Sequence, residues 1–276
     1  MKLKVKFFDK KLRKNYLVVL SVISLICSFI FISVEIPDNC KISVEIYIVV
    51  ILLIIYIIMW AIANFQNKTT LYINNSTIVV KIGDIFKEDG LKVIAFNEYF
   101  DTQADNRIVA ENTLNGIYIK SKINVVKELD NLIDNDIDLN KKIIQNNYDR
   151  SNGKKKKYKL GTIFQNDGYL LTAFTKFDND NKAYLSMNDY INFLLNFWNE
   201  IDVIYAGRSV SIPLLGSGIT RFTDRESNTI PEQELLELLI WSFKISRIKF
   251  TYPSKVSIII HESKKDKINF FKLKEN

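Results

Sequence analysis

The chain has 276 residues, 47% of them hydrophobic, and a net charge of +7, enough for one full-sized α/β domain with a surplus at the front. Two cysteines, Cys27 and Cys40, exclude a cysteine-rich zinc cluster, and a single histidine, His261, leaves at most one base for a Ser-His or Cys-His pair. Much of the excess positive charge lies in the first fourteen residues and in Lys154–Lys157, and no aromatic-interleaved basic motif points to a nucleic acid partner.

After the basic flank of residues 1–15, Tyr16 to Val34 is free of charge and long enough to cross a hydrocarbon core of roughly 30 Å. A second span is predicted over Ile46–Asn64, with Tyr47 and Trp60 as interfacial anchors. The rival reading of the first run as a signal peptide is disfavoured by its length and by the lack of a small-x-small cleavage site. Basic residues before the first span and an acidic link between the two place both termini in the cytoplasm, with Cys40 outside and Cys27 in the bilayer. Ser24 and Ser28 either let a second helix approach or bond back to their own helix. Neither span holds an ionisable residue in its interior, so the hairpin reads as an anchor or an oligomerising element.

Composition changes after Asn64, and a cytoplasmic domain is expected over 69–276. Thr69–Ile82 alternates β-branched residues around Asn74-Asn75, a hairpin pattern. Gly83-Asp84-Ile85 precedes Leu91–Asn97, an apolar run suited to an inner strand. Asp84 either accepts from an adenine amino group or caps the next turn, and Asn97 either meets a ribose hydroxyl or caps a turn.

Asn124–Ile133 has helical spacing. Lys154–Lys157 reads as a basic hairpin tip, hydrated or touching an anionic leaflet. Tyr158–Phe164 and Tyr169–Thr175 form a hairpin pair about Asn166-Asp-Gly168, and Met187–Glu200 is an amphipathic helix with an aromatic core stripe. Ser209–Leu215 is a covered strand that enters Gly216-Ser217-Gly218, where bare backbone can meet an oxyanion or merely turn. A helix opening at Pro231 and strands at Lys255–Ile260 and Ile268–Leu273 complete the chain, with His261 expected at a strand end facing solvent.

In this order the pieces from about Thr69 onward resemble the macro domain, an ADP-ribose-binding module. The resemblance implies a three-layer α/β/α fold with a mixed sheet, preceded by a transmembrane α-helical hairpin. Gly83-Asp84-Ile85-Phe86 stands where the family has Gly-Asp-Ile-Thr, implying that Asp84 and the Ile85 backbone hold adenine. Val93–Asn97 implies Asn97 near the distal ribose, Gly216-Ser217-Gly218-Ile219 a diphosphate loop flanked by Leu215, Thr220 and Arg221 as further ligand-binding residues, and Phe222 an aromatic beside that ribose. Macro domains that hydrolyse ADP-ribose conjugates follow their Asn with a Gly-Gly-Gly loop, whereas this chain reads Glu98-Tyr-Phe-Asp-Thr102.

Phe100-Asp101-Thr102, the downstream Leu114-Asn115-Gly116 and the two leading spans are similar to the macro-type effectors of bacterial Thoeris antiphage systems. That likeness implies a homo-oligomeric receptor-effector in the inner membrane. It would sense an ADP-ribose derivative made from NAD by a TIR-domain partner and then damage the lipid bilayer, with no catalytic residue, metal or cofactor. The alternative is a membrane-anchored ADP-ribosyl hydrolase in which Asn97 places water and Phe222 fixes the ribose. A third reading is a membrane scaffold with a vestigial pocket.

Overall fold

The computed structural model describes residues 3–275 apart from Glu35, Asn179 and Arg225; Met1 and Lys2 of the basic flank and the terminal Asn276 lie outside the described residues. The chain divides into two compact units, Thr70–Lys267 and a second made of Met1–Thr69 with Ile268–Asn276.

The smaller unit is built on two helices, α1 (Lys10–Ser33) and α2 (Lys41–Phe65), joined by a short turn at Asp38–Cys40. Asp9 opens α1 by accepting from the backbone N–H groups of Lys11 and Leu12. Both helices are long and apolar enough to cross a membrane, and large side chains such as Leu17, Leu25, Phe29, Ile51 and Leu53 are exposed along them. The Ser28 hydroxyl donates back to the Ser24 carbonyl, which is the self-bonded arrangement of this pair.

The residues before α1 fold back on the end of α2. Asn64 accepts from the backbone N–H groups of Lys4 and Val5, Trp60 Nε1 donates to the Val5 carbonyl, and the Tyr56 hydroxyl donates to that of Phe7. The last residues of the chain join them: Lys11 Nζ donates to the Phe271 carbonyl and Asn269 Nδ2 to that of Lys4. Ile268–Leu273 is therefore not the strand that its apolar alternation suggested. It is a turn leading into a helical turn at Lys272–Glu275, with Phe271 packed against Val5, Leu12, Tyr56 and Ala63.

The larger unit is a mixed sheet between two helical layers. Its strands are β1 (Lys68–Ile73), β2 (Ser76–Ile82), β3 (Leu91–Asn97), β6 (Ile163–Asn166), β7 (Tyr169–Phe177), β8 (Ala183–Leu185), β9 (Val210–Pro213), β10 (Arg221–Phe222) and β11 (Lys255–Ile260). The order is β1-β2-β11-β9-β3-β7-β8-β10, with β6 also on β7. β2, β11, β9, β3 and β7 run parallel, so the loops after them open on one edge. Asn74 and Asn75 both adopt positive φ, as the tight β1–β2 turn needs.

Ile94 and Phe96 of β3, with Leu171 and Ala173 of β7, point to one face and pack with α3 (Leu114–Lys122), α4 (Val126–Asn135) and α5 (Ile137–Asn140). Phe174 points to the other, where it meets Tyr190 and Phe193 of α6 (Met187–Ile204), beside α7 (Glu232–Ser246). Each fully buried Phe or Leu of these layers contributes about 1.5–3 kcal/mol. Ser186 caps α6 in a reciprocal box with Asp189.

A separate hairpin, β4 (Ile143–Asn146) and β5 (Lys156–Tyr158), carries the lysine run. It is not a free cationic tip: Lys154, Lys156 and Lys157 pair with Asp130, Asp134 and Glu98 at 2.7, 3.4 and 3.3 Å. Three internal carboxylates thus claim charges that the sequence left available to a lipid surface.

Candidate functional site

The carboxyl edge of the parallel strands brings together Gly83–Ile85 after β2, Leu214–Thr220 after β9 and Asn97–Thr102 after β3. In an open α/β sheet this is the edge where ligands bind. Gly83 N donates to the Ile260 carbonyl at the end of β11, which fixes the first turn to its neighbour. Asp84 is exposed, and its Oδ1 accepts from Phe86 N at 3.0 Å while Ile85 is buried beneath.

The loop after β9 is tied at its base. The Ser217 hydroxyl and N–H both go to the Leu214 carbonyl, and the Leu215 carbonyl accepts from the buried Tyr190 hydroxyl at 3.2 Å. The N–H groups of Gly216, Gly218 and Ile219 find no acceptor among the described residues. Gly216 has φ +87°, and a Cβ there would lie 3.2 Å from Leu235 and 3.3 Å from Phe222. Gly218 faces open space, Ile219 is 63% exposed, Thr220 is buried and Arg221 is exposed. A tied loop with unused N–H groups and open space beside Gly218 is suited to an anion.

The loop after β3 is held by its own side chains. The ladder slips between Phe96 and Asn97, re-aiming the end of the strand. Asn97, only 2% exposed, accepts from the N–H groups of Tyr99 and Asp101 and donates to Asp101 Oδ2 at 2.9 Å. Its polar atoms are thus engaged as a turn cap, the second of the two roles open to it from sequence. Phe100, at φ +51°, is sealed in the core against Phe96 and Tyr158, and Thr102 Oγ1 donates to Asp130 at 2.6 Å.

Asp101 meets Arg150, a residue that no local pattern singled out. Both guanidinium ends of Arg150 donate to the Asp101 carboxylate, at 3.1 and 2.6 Å, and further bonds reach the Lys154 carbonyl and Asn181 Oδ1. The Tyr99 ring lies 4.1 Å from the same guanidinium. One arginine therefore binds the loops after β3 and β7 to the β4–β5 hairpin. Beside it opens a cavity of about 650 Å³, lined by Thr102, Ala104, Ile119, Ile123, Asp130 and Lys154 among others.

One further sequence expectation changes, at Phe222, while Thr113–Gly116, which the sequence leaves either to open a helix or to shape one wall of the cleft, opens a helix, and His261 stands as expected. Phe222 is fully buried, edge-on to Tyr190 and beneath Gly216, so its ring is packing and is not presented to a ribose. Asn115 and Gly116 serve the start of α3: Asn115 Oδ1 accepts from Thr113 Oγ1 and Gly116 N, and a Cβ on Gly116 would fall 2.3 Å from the Ala110 carbonyl. His261 is exposed at the strand end as expected, with Nδ1 2.8 Å from Ser263 Oγ.

Glu98, 1% exposed, sits behind this edge with Lys157 at 3.3 Å and accepts from Phe177 N. Burial pushes its carboxyl above the ordinary glutamate value despite the lysine.

The family model described as Thoeris protein ThsA, Macro domain, matches residues 78–261. The chain belongs to that family. It is also 41% identical to the Thoeris protein ThsA of Bacillus amyloliquefaciens (strain Y2) over 272 residues, covering 97% of this chain and 90% of that protein. Among solved structures, the Oceanobacillus iheyensis macrodomain with ADP has a TM-score of 0.49 at 14% identity, covering 75% of this chain and 94% of its own. The same macrodomain with MES bound has a TM-score of 0.48 at 15% identity, covering 75% and 95%. The ThsA macro match begins within β2 and ends just past β11, and so spans the loops of the carboxyl edge described above.

Proposed function

We propose that this ThsA macro-domain chain is a membrane-anchored receptor-effector of antiphage defence that binds an ADP-ribose derivative at the carboxyl edge of its sheet. The N–H groups of Gly216, Gly218 and Ile219 receive the diphosphate, Asp84 and the Ile85 backbone face adenine, and the distal end lies toward the Asn97–Thr102 loop. A TIR-domain enzyme supplies the nucleotide. Occupancy drives association of the α1–α2 hairpins in the bacterial inner membrane, with both termini cytoplasmic, and the assembled helices breach the bilayer. Apolar helices gain little from leaving lipid for one another, so a modest change in domain association is enough to decide assembly.

The single observation that carries this reading is the tied glycine loop after β9, whose unused N–H groups stand where open α/β sheets bind phosphates. Binding without hydrolysis accords with Asn97, whose amide is bonded within its own loop to Asp101 and Tyr99. Titration calorimetry of the detergent-solubilised chain with ADP-ribose tests it. Heat of binding that disappears in Gly218→Val, with ligand-dependent cross-linking of the chain, is the expected result; a flat titration overturns the reading.

A further inference from the structure

Gly216 of the proposed anion loop rests on Leu235, one turn into α7, with the leucine Cδ2 at 3.2 Å from the position of an added Cβ. One turn earlier on the same helix stands Glu232, 9% exposed and the first residue of α7. Its Oε1 accepts from two ammonium groups, Lys264 Nζ at 2.9 Å and Lys267 Nζ at 2.7 Å. Both lysines belong to the helical turns Glu262–Lys267, which directly follow β11.

The next residue, Ile268, begins the tail that belongs to the hairpin unit. From Lys267 to Phe271 is four residues, at most roughly 14 Å of chain. At Phe271 the tail is gripped again: the carbonyl accepts from Lys11 Nζ at 2.7 Å, that ammonium lies 4.9 Å from the ring centroid, and Lys4 lies over Phe270 at 5.7 Å. Lys4 and Val5 are bonded in turn to Asn64 at the end of α2. Packed or bonded groups therefore lead from the glycine loop to Lys267 within one unit and from Phe271 to the end of α2 within the other, and the chain is covalently continuous between them at Lys267-Ile268.

We infer that Glu232 is a positioning residue that couples occupancy of the Gly216–Gly218 loop to the hairpin through Lys264, Lys267 and the 268–273 tail. This rests on the nucleotide reading and names how the same site is read out. A ligand that settles on the loop alters the seat of Leu235, and with it the first turn of α7. Glu232 transmits that displacement because one oxygen holds both lysines, so the 262–267 segment follows α7 as a body. The four-residue tail carries that movement to Phe271, and the Lys11 and Lys4 contacts pass it to the end of the chain from which α1 starts. Two arrangements of a short ion-bonded element, biased from one end, suffice for such coupling.

Hydrogen–deuterium exchange on the full chain in nanodiscs, with ADP-ribose as the probe, separates the inference from the reading beneath it. In the unmodified chain ADP-ribose is expected to slow exchange over 214–220 and to change it over 262–273. Glu232→Gln is expected to keep the first response and lose the second. The double variant Lys264→Gln/Lys267→Gln removes the same clamp without touching α7 and is expected to behave alike, so a folding defect in one variant does not leave the question open. Protection at 214–220 with no change at 262–273 in the unmodified chain overturns the coupling alone. So does a tail response that survives in both variants. Absence of protection at 214–220 overturns the nucleotide reading, and the ligand-driven coupling falls with it.

Discussion

Arg150 Nη2 lies 2.6 Å from Asp101 Oδ2, and the two side chains are 3% and 1% exposed, so this ion pair holds three loops together almost entirely out of water. Breaking such a pair from one side leaves an uncompensated buried charge, at a cost of about 3–5 kcal/mol. Arg150→Ala is therefore expected to lower stability by that order. Arg150→Lys is expected to recover only a small part, because an ammonium cannot supply the paired bonds to Asp101 together with those to Asn181 and the Lys154 carbonyl. Denaturant unfolding of the solubilised chain measures both.

The two glycines of the loop after β9 are expected to fail in different ways. Gly216 combines positive φ with Leu235 and Phe222 in the path of a side chain, so Gly216→Val strains the backbone and presses on the core. Its unfolding midpoint falls, and ADP-ribose binding goes with it. Nothing stands within 4 Å of a Cβ at Gly218, whose φ lies outside the left-handed range. Gly218→Val is expected to keep the melting temperature and lose affinity, because the new side chain shields the N–H groups. Equal affinity in Gly218→Val and the unmodified chain would remove the loop from the ligand site.

How far the sequence carried this reading depended on whether a residue's partner was local. Asn74-Asn75, Gly83-Asp84 and Gly216-Ser-Gly218 announce backbone geometry that neighbours in the chain impose, and each stands where expected. Arg150 was not legible, because its partners Asp101 and Asn181 are 49 and 31 residues away and nothing in an Asn-rich stretch marks one arginine as buried. The apolar alternation Ile268/Phe270 has the period of a strand, but period alone does not say which surface hides it, and here no strand forms. Phe222 and three lysines of the basic run, Lys154, Lys156 and Lys157, differ from the sequence reading for the same reason: a ring or charge free in the sequence is claimed by Tyr190 or by Asp130, Asp134 and Glu98 in the fold.

Two glutamates are expected to give opposite pH dependences. Burial raises the Glu98 carboxyl above its ordinary value of 4.5, outweighing Lys157. An acid raised on folding contributes its stability when protonated and loses it as pH rises through the folded value. Glu98→Gln should therefore gain in melting temperature over the unmodified chain as pH goes from acid to neutral. Burial also works against Glu232, but the bonds from Lys267 and Lys264 outweigh it and hold that carboxyl below 4.5. Its contribution is full above the ordinary value and disappears as pH falls through the lower folded one, so the deficit of Glu232→Gln should be largest near neutrality and shrink in acid. Thermal melts across the acid range, run on both variants, check the two signs together.

The hairpin makes a prediction that needs neither ligand nor partner. Cys40 is exposed at the turn just before α2, and Cys27 lies within α1, seventeen residues into the helix that starts at Lys10. If both helices cross the inner membrane with the termini inside, a membrane-impermeant maleimide added to spheroplasts reaches Cys40 and not Cys27. A chain carrying Cys40→Ser should then remain unlabelled until detergent is added, whereas Cys27→Ser should label as fully as the unmodified chain. Equal labelling of Cys27 and Cys40 in intact spheroplasts would mean that α1 does not span. Labelling of Cys40 only after the membrane is opened would invert the topology and put the macro domain on the wrong side for a nucleotide made in the cytoplasm.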